Sequence, residues 1–485
     1  VSVASPAPPS VLRAGRRALD GVRGVEILRD LAWHEPSKAW ILHVRVRIDP
    51  ASDAFVPATS DWFVHIDPHY PLGRITLYPA KEGGLHATFP HQSYNDKGSD
   101  SVPWRSGNLC LGSPYGRALG RWSSEPEPHG AHDRLKWHVE RARDWLDTAA
   151  RGALLAPGDP YELPAWPGHG DITVVYAESA RTFAPWSLPK ARAGGAVLIA
   201  FGSGYRAVER WTDLQRRPVA ERRWGYVVTE RTARSHAVWL LLADTPRLPP
   251  WQAPRTWGEL RAAARAQNIN IDTLLRQVVP RLRGKGRTVL LIGFPIPEKV
   301  GGRSRELCWK ALLMPALEGA RTRGSAPPRR AQRRTARGRV FPGFRDNGQG
   351  RWMRDRYGPL RDELPLEWLK SENWHSDRIG ARGRYMEATR RSRVAILGVG
   401  ALGSLMADLL VRGGVEDVLL VDDDSLVIGN LVRHRLRMEH LTEHKAEALA
   451  EELNLSSPHA RVRALSKRLP LDPVEAQALL EDRTI

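Results

Sequence analysis

The stretch Val394-Ala395-Ile396-Leu397-Gly398-Val399-Gly400-Ala401-Leu402-Gly403, followed by Asp422-Asp423-Asp424 and Asn430-Leu431-Val432-Arg433-His434, decides the fold of this chain. A Gly-x-Gly-x-x-Gly alone is a weak signal. Here it directly follows Arg393 to Leu397, which reads as a buried strand, and it opens a helical pattern through Leu409 and Leu410. Glycines let the backbone turn tightly and approach a phosphate, and the helix start offers unpaired N–H groups and a positive dipole end. The next apolar run, Val418 to Val421, ends on Asp422, at about the 20-residue spacing expected of a carboxylate that accepts ribose hydroxyls. The order strand, glycine loop, helix, acidic strand end describes a nucleotide site.

The continuation separates it from a dehydrogenase. A dinucleotide domain needs no Asn430 and Arg433 soon after its acidic strand end, nor a Lys445 opening the next helical pattern; cations there suit a triphosphate. The order resembles the adenylating domain of ubiquitin-activating and ThiF/MoeB-type enzymes. That resemblance implies ATP as cofactor, with Gly398, Gly400 and Gly403 at the phosphates, Asp422 at the ribose, and Asn430, Arg433 and Lys445 at the ATP phosphates. Arg433 and Lys445 would stabilise charge on the α-phosphate as a carboxylate attacks it. His434 stands where the family usually has Gln, a minor departure.

After Lys445 the pattern gives a helix to about Asn454, a strand from Ala460 to Leu465 and a helical stretch around Val474 to Leu480. A doubly wound domain needs more strands. The reading therefore expects a piece of a longer protein, starting at Val1 without a Met. It places the family's metal-binding Asp, and hence the Mg²⁺ ligands, beyond Ile485 with any activating-domain cysteine. No metal ligands are assigned within the chain.

Two cysteines in 485 residues, Cys110 and Cys308, argue against a disulfide framework or a cysteine zinc site and for a reducing compartment. Ala39 to Ile48, Asp61 to Ile66 and Arg74 to Tyr78 read as strands, Tyr70-Pro71 as a turn, and Leu85 to His91 as a polar-aromatic loop before Gly107-Asn108-Leu109-Cys110-Leu111. This order resembles the core of ubiquitin-conjugating enzymes, matched by Tyr70-Pro71, Pro90-His91 and Gly107 to Leu111. By that resemblance Cys110 is the thioester-forming nucleophile. The family's His-Pro-Asn is not intact, so Asn108, His91 and His86 all stand as candidate oxyanion donors. Cys308, between apolar neighbours in Glu306 to Leu313, reads as core packing.

A length of 485 residues predicts about three domains, and 42% hydrophobic residues with 18 Trp suffice for sizeable cores. No apolar run approaches the ~18 residues of a membrane span, and the first residues lack a signal-peptide core, so a cytoplasmic protein without a membrane partner is expected. The net charge of +19 raises nucleic-acid binding, but Arg321 to Arg345 holds nine arginines and no acid, so much of the excess sits in one basic linker. Nucleic acid is accordingly not expected as the main partner.

The domains read as a flexible N-terminus (1–20), a ubiquitin-conjugating-like domain (21–166), an α/β linker domain (167–320), an Arg/Pro-rich linker (321–345), a helical lead-in (346–390) and a ThiF-type domain (391–485). The first closes with a helix over Asp133 to Ala150. In the linker domain Ile172 to Tyr176, Ala196 to Phe201, Tyr226 to Thr229, Ala237 to Ala243 and Thr288 to Phe294 read as strands and Trp257 to Leu282 as mainly helical. The fold class is thus α/β and α+β multidomain: a conjugating-like α+β fold, a central α/β domain and an incomplete Rossmann-like ThiF-type domain.

Arg378 precedes the glycine loop by about the spacing at which activating enzymes carry an Arg that reaches the ATP of a partner subunit; the resemblance would imply a homodimer. Taken together the two resemblances look like the bacterial ubiquitin-transfer-like fusions of antiphage operons. They imply adenylation of the C-terminus of a ubiquitin-like protein or a nucleotidyltransferase, and transfer through Cys110 to an amine of a target protein. An adenylating enzyme for a sulfur carrier or peptide, with a non-catalytic N-terminal binding domain, and a basic RNA-binding scaffold remain as alternatives.

Overall fold

Residues 10–17, expected to fray, form helix α1 (Ser10–Arg17) in the computed structural model, and the reason is apolar burial: Leu12 is 0% and Leu19 1% exposed. The structure describes residues 6–49, 54–111, 127–168, 170–187, 191–231, 233–278, 287–315, 360–468, 472–481 and 483. The Arg/Pro-rich segment 321–345 lies outside them. The chain divides into two units, one of Val1–Pro167, Thr245–Ala266 and Ile296–Ser304, the other of Gly168–Asp244, Gln267–Pro295 and Arg305–Ile485.

In the first unit β1 (Val25–His34), β2 (Ala39–Arg47), β3 (Thr59–Ile66) and β4 (Ile75–Pro79) form an antiparallel meander in sequence order. One face of β2 and β3 presents Leu42, Val44, Val46, Trp62 and Val64 to the main core. The other carries Ile41 and Phe63 against Ala80 and the partly buried Trp104. Burial on both faces is why these strands read as apolar runs rather than clean alternation. Helix α2 (Arg134–Ala150) covers the main core with Leu135, Val139, Ala142, Leu146 and Ala149, a stripe at three- and four-residue steps. The Tyr70 hydroxyl donates to the Ala131 carbonyl at the entrance to α2, tying the Tyr70-Pro71 turn to it. Helix α3 (Trp257–Arg265), capped by Thr256 Oγ1 on the Glu259 N–H, falls in this unit.

The second unit contains a mixed sheet and a parallel one. The first comprises β5 (Thr173–Tyr176), β6 (Ala193–Phe201), β7 (Tyr205–Thr212), β8 (Pro218–Glu221), β9 (Arg234–Leu241), β10 (Val289–Pro297), β11 (Ser304–Leu313), β12 (Glu367–Trp368) and β13 (Lys370–Asn373). Its order is β12-β11-β10-β9-β6-β7-β5-β13, with β8 paired to β7. Trp186, Trp211, Trp239 and Trp309 pack together in its core. Helix α4 (Ile271–Val278) buries Ile271, Leu275 and Val278 in the same unit.

Tyr226–Thr229, read as a strand, is a one-turn helix, because the Gly225 and Tyr226 N–H groups donate to the carbonyls of Pro458 and Ala460, docking and overriding a locally apolar run. Residues 367–373, read as part of a helical lead-in, are strands: Lys370 to Asn373 pair in parallel with Thr173 to Tyr176. A four-residue strand is too short to show a period, and its partner lies far away in sequence.

The remainder is β14 (Arg393–Leu397), α5 (Ala401–Arg412), β15 (Asp417–Val421), α6 (Lys445–Ser456), β16 (Arg461–Leu465) and α7 (Pro473–Leu480), with a parallel sheet in the order β14-β15-β16. Leu397 pairs with Val421 and Val421 with Leu465, so all three strands end at one level. Cys308 is buried, as its apolar neighbours imply. Strand β14 is half-buried rather than buried, because it lies at the edge of the described sheet while β15 lies between two neighbours.

Candidate functional site

The carboxyl ends of β14 and β15 build a cradle. Gly398, with φ of +86°, turns the chain, and its N–H donates to the Val421 carbonyl at 2.8 Å. A Cβ at Gly403 would collide with the Gly398 carbonyl, so that glycine serves the packing of α5 on the loop. Gly400 differs, since a Cβ there would meet nothing within 4 Å. Its small size is not needed by the protein's own packing and suits the approach of an outside group such as a phosphate, with the N–H groups at the start of α5 beside it.

Asp422, 8% exposed, braces this loop from both oxygens: Oδ2 accepts the Val399 N–H at 2.8 Å and Oδ1 the Asp424 N–H at 2.9 Å. Each carboxylate oxygen can accept a second hydrogen bond, which leaves capacity for a ribose hydroxyl. The Asn430 Oδ1 accepts the Val427 N–H at 3.1 Å, and its carbonyl accepts the N–H groups of Arg433 and His434, so Asn430 shapes the turn that presents both. Arg433 is exposed and makes no ion pair with a described residue. Pairing of the Lys445 N–H with the Asp424 carbonyl brings the Lys445 Nζ, itself buried, to 2.8 Å from Asp424 Oδ2.

His434, a minor departure by sequence, is a latch. Its Nδ1 accepts the Leu436 N–H at 3.1 Å, so the proton sits on Nε2, which donates to the Val399 carbonyl at 2.6 Å. Val399 is thereby held by Asp422 through its N–H and by His434 through its carbonyl. Burial is the main influence holding His434 below the ordinary imidazole value; the Val399 carbonyl and Asp422 oppose it, and Lys445 adds to it. No sequence signal marked this role, because a histidine after an arginine has many uses.

Arg378 lies in the one-turn helix Ser376–Ile379 and pairs with Glu306 of β11, not with a cradle residue. His375 caps that helix by accepting the Asp377 N–H, and burial pushes its ring down to about 4.

In the first unit Cys110 is exposed on a laced loop. Its N–H donates to the His91 carbonyl at 2.9 Å, and the Ser93 N–H donates to the Asn108 carbonyl at 3.0 Å. Beneath, Gln92 bonds the Gly107 carbonyl, while Asn95 donates to the Leu85 and Ala87 carbonyls and accepts from Arg105. Gln92, Asn95 and Arg105 were not singled out by sequence, because only the closed loop shows that they support it. Partial desolvation, and after it the Glu162 carboxylate, push the Cys110 thiol above the usual cysteine range. The His91 ring is bonded to Glu162, with Nδ1 at 2.7 Å from Oε2, and to the Leu154 carbonyl. The Cys110 N–H is also engaged. Among the three candidate oxyanion donors, the Asn108 amide and the exposed His86 make no side-chain bond to a described residue, and Asn108 is two residues from the sulfur.

The Cap2 central linker domain matches residues 152–374 and the ThiF family matches residues 371–485. The ATP-dependent ubiquitin transferase-like protein Cap2 of Enterobacter hormaechei subsp. hoffmannii is 32% identical over 443 residues, 89% of this chain and 70% of that protein. The Cap2 of Pseudomonas aeruginosa is 40% identical over 88 residues, 17% of this chain and 16% of that protein. Ubiquitin-like modifier-activating enzyme 5 of Aedes aegypti is 34% identical over 85 residues, 18% of this chain and 21% of that protein. The chain therefore belongs to the Cap2 family of ATP-dependent ubiquitin transferase-like proteins, with a ThiF-family domain at residues 371–485.

Proposed function

We propose that this chain activates the C-terminal carboxylate of a protein at the Gly398 loop and passes the acyl group through Cys110 to an amine of a target protein, in the cytoplasm and in the service of antiphage defence. The carried protein is a ubiquitin-like protein or a nucleotidyltransferase. The observation that carries the reading is an exposed Cys110 on a braced loop, in a chain that also holds the Gly398–Asp422–His434 cradle. Residues 21–166 act as the conjugating-like part, 167–320 as a docking part and 391–485 as the adenylating part.

ATP is the co-substrate that makes the carboxylate an acyl donor. The start of α5 and Gly400 receive its phosphates, Asp422 its ribose, and Asn430 orients Arg433 while Lys445 exchanges Asp424 for the phosphate charge. As the carboxylate oxygen bonds to the α-phosphorus, pyrophosphate leaves and its charge is met by Arg433 and Lys445. The Cys110 thiolate then takes the acyl carbon, AMP leaves, and the target amine displaces the thiolate, with Asn108 donating to the carbonyl oxygen during both acyl transfers. Mg²⁺ would accompany the triphosphate; the carboxylates of Asp422, Asp423 and Asp424 lie within 4.8 Å of one another and could hold it, Asp424 once Lys445 has turned to the phosphates, and the ion would neutralise phosphate charge there.

A homodimer is part of the reading. Leu402, Leu405, Met406 and Leu409 of α5, exposed by 79, 48, 57 and 60%, follow a three-and-four spacing opposite the buried Ser404, Ala407 and Val411. An apolar helical stripe of this length is supported as a contact for a second copy, in which Arg378 would leave Glu306 for the partner's ATP.

The test is exchange of radiolabelled pyrophosphate into ATP by the full-length protein with a candidate carrier from its own gene neighbourhood. A reducing-agent-sensitive adduct should then form and be lost in Cys110→Ala. Exchange without an adduct leaves an adenylating enzyme for a sulfur carrier or peptide; absence of both ends the reading.

A further inference from the structure

Glu162 grips His91 at two points. Its Oε1 accepts the His91 backbone N–H at 3.0 Å, and its Oε2 lies 2.7 Å from His91 Nδ1. With that carboxylate and the Leu154 carbonyl as its partners, the ring is asked to donate to both, which the imidazolium does with its two N–H groups. His91 has φ of +57°, a left-handed conformation unusual for a residue with a Cβ, so its turn must be held by its surroundings. The carbonyl of that turn accepts the Cys110 N–H at 2.9 Å.

We infer that Glu162 is a positioning residue for Cys110, acting through His91: it fixes the left-handed turn whose carbonyl holds the nucleophile's amide. The inference rests on the thioester reading of Cys110 but is tested apart from it. Glu162 also carries a charge that faces the sulfur, and the charged His91 ring offsets it. The charged groups facing His91 are Glu162 and Asp159; the one facing Cys110 is Glu162. Burial alone would lower His91, yet Glu162, the Leu154 carbonyl and Asp159 raise it above its ordinary value. The doubly donating ring is therefore fully present below the ordinary imidazole value and gives up one of its two N–H donors as pH rises through the raised one, while the backbone N–H bond to Glu162 stays.

The experiment is alkylation of Cys110 in the full chain by iodoacetamide across a pH series, read by intact mass, with the buried Cys308 staying unlabelled. Glu162→Gln removes the facing charge and should lower the midpoint, accelerating alkylation at neutral pH by about twofold to threefold. His91→Gln removes a ring that is charged below its raised value, leaves Glu162 uncompensated there, and should slow alkylation by about the same factor at pH values where the wild-type ring is protonated, the two profiles converging above them. Opposite shifts are the signature, since a merely structural loosening moves both variants the same way; coincident profiles, or shifts in one direction, overturn the inference. Should either variant fail to fold, hydrogen exchange of the wild-type peptide around Cys110 decides instead. Corrected for intrinsic rates, its protection should fall as pH rises through the His91 transition, and constant protection overturns the inference. Neither readout needs a carrier, so a Cys110 that forms no thioester while these shifts persist would end the transfer reading alone.

Discussion

At the scale of single residues the cradle is held by His434, which the sequence presents only as an exception. Replacing it by Ala removes the Nε2 donor from a buried carbonyl and should cost about 1–3 kcal/mol, read as a lowered midpoint of denaturant unfolding. Replacing it by Gln, whose amide also donates and accepts, should recover most of that. Because burial keeps the ring neutral, folding favours the unprotonated form, so its contribution is present above the ordinary imidazole value and is lost as pH falls. ATP affinity measured by calorimetry should therefore weaken on acidification in wild type and much less in His434→Gln. The two glycines also separate. Gly403→Ala forces backbone apart and should lower stability, whereas Gly400→Ala should leave unfolding unchanged and weaken ATP binding; equal effects on both would remove the argument that an outside group fills the space at Gly400.

At the scale of elements, α5 has two jobs on two faces. Its buried face packs on the sheet, and its opposite face carries the exposed leucines and methionine proposed as a contact for a second copy. Leu405→Glu with Leu409→Glu should convert a dimer to a monomer in sedimentation while the circular dichroism of the chain is unchanged; a wild-type monomer would contradict the proposal. Helix α1 makes the complementary point, as its first residues read as frayed because Pro, Ala and Arg dominate them. Leu12, with Leu19 just beyond the helix, is buried in a core that includes tryptophans and valines, and Leu12→Ala should cost about 2–5 kcal/mol by the large-to-small rule. The central sheet contains a costlier device, Glu178, fully buried and held by Arg222 at 2.7 Å with Thr182 and Trp309. Burial raises its carboxyl, against the pull of Arg222.

At the scale of the whole molecule, the proposed adenylating and acyl-transfer centres on one chain would give donor and acceptor a shared effective concentration. Variants should divide accordingly: Arg433→Ala and Lys445→Ala lose pyrophosphate exchange by tenfold or more, on the order of 1.4 kcal/mol or above in barrier, while Cys110→Ala keeps exchange and loses only the adduct. Loss of exchange in all three would mean that the centres are not separate steps. Among the described residues no helix is long and apolar enough to cross a membrane. The sequence by itself determined what depends on neighbours in the chain: the glycine loop after β14, the acid at the end of β15, the stripe of α2, and the cysteine in its Gly-Asn-Leu context. Those patterns are local because a turn, a helix face and a strand end are set by residues a few positions apart. Only the tertiary structure decided that 367–373 are strands, that Tyr226–Thr229 is helical, and that Glu162 and Asn95 brace the Cys110 loop and His434 the Gly398 loop. Each of those depends on a partner brought close by folding, and a hydrogen bond leaves no periodic trace in the chain that makes it.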